Sequence, residues 1–79
     1  MKYEKFDIIT LDNNTKLIIL DIINYEGNTY LYVDRLNEEE TNTYNDYHIM
    51  RVLKESIIEK ETDINILTKL LSLLMKNNY

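Results

Sequence analysis

The 79-residue chain contains no cysteine, no proline, no tryptophan and a single glycine, and it has one histidine. Without cysteine there is no disulfide to staple so short a chain, and with one histidine there are too few ligands for a closed zinc site. The same lack fits a protein kept in a reducing compartment. Basic residues are also scarce: nine Lys and Arg stand against fourteen Asp and Glu, for a formal net charge of -5. A phosphate-binding surface needs clustered cations that displace counterions, so direct nucleic-acid binding is not expected. Long apolar runs are missing too. Leu17 to Ile23 is interrupted by Asp21 and is far too short to cross a bilayer. Met1-Lys2-Tyr3-Glu4-Lys5 has no apolar stretch behind a basic region, so neither a leader nor a membrane role is expected, and a cytoplasmic location is. Alanine is absent as well, while Ile, Asn, Lys and Tyr abound, which suggests an AT-rich coding genome of a low-GC bacterium or of a phage or mobile element within one.

What is present is organised by the lone Gly27, which with Asn28 separates the runs Leu17 to Ile23 and Thr29 to Val33 and so marks a β-hairpin. Strands are predicted at about 5–11, 16–25 and 29–36, with a first turn at Asp12-Asn13-Asn14-Thr15 and the second at Glu26-Gly27-Asn28. Asn37 to Thr43 is polar without periodicity and reads as an exposed loop. Tyr47 to Ile58 is ambiguous between strand and helix. Its Tyr, His, Ile and Val favour a strand over about 47–53, with Glu55-Ser56 as a break. Finally, Ile64, Leu67, Leu71 and Leu74 recur at helical spacing, Thr62 or Asp63 can cap, Lys76 suits the helix dipole and Asn77 can end a helix over about 63–76. The fold class is therefore α+β: one domain, an antiparallel β-meander of about four strands followed by a C-terminal α-helix packed on the sheet.

Strict period-two alternation places Ile9, Ile18, Leu20, Ile22, Leu31 and Val33 on one sheet face, and Phe6, Ile8, Leu17, Ile19, Ile23, Tyr30 and Tyr32 on the other. Both faces are apolar, and one helix covers only one. The second then needs sheet curvature, loops, a second copy or a partner, and Ile66, Leu70, Leu73 and Met75 widen the helix stripe in the same direction. Register also bears on two acids. With Gly27-Asn28 central in the turn, Asp21 opposes Asp34, an unfavourable like-charge pair; with Glu26-Gly27 central, or with a bulge, Asp21 faces Tyr32, and this arrangement is preferred.

Chemistry-bearing constellations are thin. Nucleophilic catalysis needs Ser or Cys near a base, yet His48 is the only histidine, Ser56 and Ser72 are the only serines, and nothing pairs them. His48 reads as an ordinary surface or strand-edge residue. Asp21 with Asp34 is the only carboxylate pair that the topology brings together, and a solvated strand acid explains each. Asp12 to Thr15 begins like a calcium loop but lacks the glycine and distal glutamate, so it is a turn. No catalytic, cofactor or metal residues are therefore assigned. The densest acidic patch is Glu38-Glu39-Glu40 with Asp34 and Asp46, either a solvated surface or a mimic of nucleic-acid phosphates. Tyrosine is favoured at interfaces, and Tyr30 and Tyr32 complete the candidate partner-binding set.

Phe6-Asp7-Ile8-Ile9-Thr10-Leu11, then Leu20 to Leu31 around Tyr25-Glu26-Gly27-Asn28, then Tyr47-His48-Ile49-Met50-Arg51-Val52, resemble the short acidic bacterial domains of unknown function typified by the YrzB-like proteins. The resemblance spans almost the whole chain. It implies four strands and a helix, supports a strand over Tyr47 to Leu53, and brings no catalytic residues. The chain is less acidic between Lys54 and Glu61 than that family's pattern.

Two functional expectations follow. The first is a non-enzymatic protein-interaction module, acting on a protein partner or as a homodimer through surplus apolar surface. The second is a small anti-CRISPR-like inhibitor from a phage or mobile element, blocking a nucleic-acid-binding enzyme with an acidic surface.

Overall fold

The computed structural model describes residues 3–54 and 57–78. Its elements are β1 (Ile8–Thr10), β2 (Lys16–Tyr25), β3 (Asn28–Leu36), β4 (Thr43–Lys54), β5 (Ile57–Lys60) and α1 (Ile64–Asn78). The strands form one antiparallel sheet in the order β1-β2-β3-β4-β5, and α1 packs on it, giving an α+β meander. The expected break at Glu55-Ser56 lies outside the described residues. Beyond it the chain returns as a fifth strand, with Val52 opposite Ile58 and Met50 opposite Lys60. β1 is shorter than expected: Phe6 lies outside it, with a φ of 71°. β4 begins earlier, at Thr43.

The turns obey local chemistry. Tyr25 pairs with Asn28, which leaves Glu26 and Gly27 as the two central residues, with φ of 49° and 79°. Two consecutive positive φ angles match the right-handed twist of the flanking strands, and glycine supplies one of them without steric cost. At the first turn Asn14 takes the left-handed conformation, and Asn13 Oδ1 accepts the N–H of Thr15 at 3.0 Å. The β3–β4 loop is held by Asn37, whose Oδ1 accepts the N–H groups of Thr41 (2.9 Å) and Asn42 (3.1 Å).

Asp21 stands opposite Tyr32 and Asp34 opposite Ile18, so the two acids do not oppose each other directly. The register shifts between Ile19 and Asp21, and this bulge at Leu20 corrects the face assignment. One extra residue reverses parity within β2. Leu17 and Ile19 therefore share a face with Ile9, Ile22, Leu31 and Val33, while Ile23 and Tyr30 lie on the other. Phe6 and Ile8, assigned to an apolar face by alternation, are exposed.

The middle of each face is covered within the chain. On the concave side the edge strands curl over: Ile9, Leu11 and Ile58 pack on Leu17, Ile19, Leu31, Val33 and Met50, and Ile19, Leu31 and Val33 have no exposed surface. On the convex side Leu70 and Leu74 of α1 pack on Ile23, Tyr30 and Ile49. The helix starts at an aspartate cap, Asp63 Oδ1 accepting the N–H of Asn65 at 2.9 Å and of Ile66 at 3.4 Å. Curvature thus supplies cover for the middle of the second sheet face, while Ile8, Tyr44, Tyr47, Leu53 and Ile57 of the outer strands stay exposed. The helix keeps a surplus too: Ile64, Leu71 and Met75 remain exposed.

Candidate functional site

The exposed helix stripe borders a cleft of about 370 Å³ between β3–β4 and the first half of α1. Strand geometry builds one wall. Tyr32 pairs with Ile49, so Tyr47, two residues earlier in β4, is its diagonal neighbour on the same face. Their rings stack with centroids 5.7 Å apart and planes 15° from parallel. The helix builds the other wall with Ile64, Leu67 and Leu71, which sit on adjacent turns of one side. Ile64 is 71% exposed, and Leu71 and Tyr47 are each 48% exposed. Burial of the Tyr32 phenol raises its pKa above the ordinary 10.0, and the fields of Tyr47 and Asp34 raise it further.

Glu61 closes the near end of this cleft. Its Oε2 accepts the N–H groups of Thr62 (3.0 Å) and Asp63 (3.2 Å), which ties the β5–α1 junction. Glu61 Oε1 and Arg51 Nε are buried without a hydrogen-bond partner among the described residues. Arg51 nevertheless feels the charge of Glu61 and is hydrogen-bonded to Glu59, and that bond is the main cause of its raised pKa.

The sequence-derived partner set is dispersed by the fold. Tyr30 is 1% exposed and belongs to the core beneath α1, so its side chain offers nothing to a partner. Asp34 is 2% exposed, and its Oδ1 accepts the N–H of Asp46 at 2.8 Å. Asp46 in turn accepts from His48 Nε2 at 2.9 Å and lies 3.8 Å from Arg35 Nε. Glu40 pairs with Lys16 at 2.6 Å, and the same ammonium donates to the Glu38 carbonyl at 3.1 Å. Of that set, Glu38 and Glu39 alone keep exposed carboxylates outside the ion pairs of the described residues. Of the original set, Tyr32 alone lines the cleft.

His48 lies within β4, half-buried and held by Asp46 rather than free at an edge. Ser56 lies outside the described residues, and the described hydrogen bonds bring no hydroxyl to the imidazole. No group of three or more His, Cys, Asp or Glu side chains that could hold a metal occurs among the described residues. No helix among them is long and apolar enough to cross a membrane.

The cleft was hidden in the sequence because its residues come from four segments. A signal existed: Ile64 and Leu71 recur at a seven-residue spacing outside the arc centred on Leu70, so the helix is apolar on more sides than one sheet can cover. Comparisons with protein-family models, curated proteins and solved structures return no match to this chain.

Proposed function

We propose that the chain is a protein-interaction module that docks an apolar segment of a partner protein in the cleft between β4 and α1. One observation carries this reading. With the middle of the sheet covered on both faces, Tyr47, Ile64 and Leu71 still surround an open cleft. Ile64 and Leu71 lie seven residues apart, about 10 Å along the helix. That separation suits two apolar anchors of a helix laid into a groove. A cytoplasmic site of action and a bacterial or phage source belong with this reading, supported by the cysteine-free, alanine-free composition. So does the kinship to the YrzB-like domains, supported by the residues quoted above.

The phosphate-mimic alternative has less support. Glu40 and Asp46 are spent on Lys16, His48 and Arg35, and Asp34 is buried, leaving Glu38 and Glu39 as its free charges.

The test is affinity capture from the source cells with wild type and with the Ile64→Lys/Leu71→Lys double variant, after circular dichroism has established that both fold alike. A partner retained by wild type and lost with the double variant supports the cleft. Equal recovery by both moves the interaction elsewhere.

A further inference from the structure

The concave face, opposite the helix, holds a second and chemically different corner. Arg35 pairs across the sheet with Leu17, His48 with Val33, and Lys60 with Met50. Leu17, Val33 and Met50 all belong to the concave core, so the three nitrogen-bearing side chains share that face. Register also fixes their order. Arg35 and Lys60 are diagonal neighbours of His48 on either side, a separation that long side chains span. Together with Leu11, Leu17 and Met50 they line a cavity of about 250 Å³ where the curled sheet opens.

The charge balance of this corner is positive in a chain whose net charge is -5. Asp46 is the acid in contact with the group, and it is shared by His48 and Arg35. Lys60 forms no ion pair among the described residues. Arg35 is further fixed by the Tyr44 ring, its guanidinium carbon 4.5 Å from the centroid. An apolar floor under a rim that keeps uncompensated positive charge matches an anion carried on a short apolar tail.

We propose that this corner binds a small carboxylate with a short alkyl chain, its carboxylate held by Lys60 and Arg35 and its tail resting on Leu17 and Met50. The site opens on the sheet face opposite the β4–α1 cleft, although His48 and Lys60 border both, and it does not depend on the docking role.

Heteronuclear NMR titration of the intact protein with hexanoate, hexanol and acetate separates the contributions. Hexanoate should shift the amides of Leu11, Leu17, Arg35 and Met50, which line this corner and not the β4–α1 cleft, saturably, and Lys60→Gln, at an exposed position, should weaken it about fivefold or more. Hexanol binding as well as hexanoate would show that charge is irrelevant. Acetate reproducing the shifts would reduce the corner to a surface charge. Either result overturns the proposal, as does an affinity unchanged in Lys60→Gln, shifts that map to Ile64 and Leu71, or no saturable shift with any ligand.

Discussion

Asp34 and Asp46 are joined across the β3–β4 irregularity: the buried Asp34 carboxylate accepts the backbone N–H of Asp46 at 2.8 Å. The ladder between the strands is interrupted there, between Asp34 and Leu36, and Asn45 adopts a φ of 54°. A backbone donor released by the bulge is thus satisfied by a side chain. The same bulge presents the Asp46 carboxylate to His48 and Arg35.

Removing that acceptor should be costly. Asp34→Ala is expected to lower the unfolding free energy by about 1–3 kcal/mol, because it leaves a partly buried N–H unpaired. Asp34→Asn keeps an oxygen and should lose less. Urea denaturation checks both, with Asp12→Ala as an exposed reference; an Asp34→Ala loss no larger than the reference would contradict the role.

The helix divides sharply between neighbouring leucines. Leu70 is fully buried against Ile23, Tyr30 and Ile49, while Leu71 faces the cleft and water. Leu70→Ala should cost about 2–5 kcal/mol. Leu71→Ala should stay within about 0.5 kcal/mol of wild type. Equal losses in thermal or urea unfolding would show that the helix sits differently on the sheet.

At Gly27 a Cβ would meet no atom within 4 Å, so substitution there probes backbone strain alone. With φ at 79°, Gly27→Ala should destabilise by about 1–2 kcal/mol. Gly27→Asn should cost less, since asparagine tolerates the left-handed region. A neutral alanine variant in the same denaturation assay would mean that the turn relaxes into another type.

The Tyr32 phenol gives a pH signature. Its folded pKa is raised above the ordinary 10.0, first by burial and then by the charges of Tyr47 and Asp34, so the fold favours the neutral, protonated form. That contribution is fully present below the unfolded-state value and is lost as pH rises through the raised folded value. Wild type should therefore lose more stability than Tyr32→Phe between about pH 9 and about pH 11. Parallel urea titrations measure the difference, and identical pH slopes would refute it.

Much of the architecture was legible in residues with strong local preferences. Gly27 marks the central hairpin, the acid at Asp21 selects its register through electrostatics, and Asp63 with the Ile64-Leu67-Leu71-Leu74 spacing announces the helix. The failures have equally local causes. The bulge at Leu20 leaves no compositional trace in the run Leu17 to Ile23, because every residue near it except Asp21 is aliphatic, and one extra residue is enough to exchange the faces. Glu59 and Lys60 hide β5 in the sequence, since they fall on opposite faces of an edge strand and break the apolar alternation on both. Tyr30 and Asp34 were selected for residue type, and burial withdrew both. The cleft depends on where the helix lands across the sheet, which no local pattern encodes.

Each strand's neighbour in the sheet is also its neighbour along the chain. Pairing therefore closes only short loops, whose entropic cost is small, and contacts between sequence neighbours favour rapid folding. During synthesis the sheet can zip up strand by strand from the Gly27 hairpin, with the helix following after β5. Until it docks, Ile23, Tyr30 and Ile49 face water, so the fifteen-residue helix also shields the apolar patch through which an incompletely folded chain would aggregate.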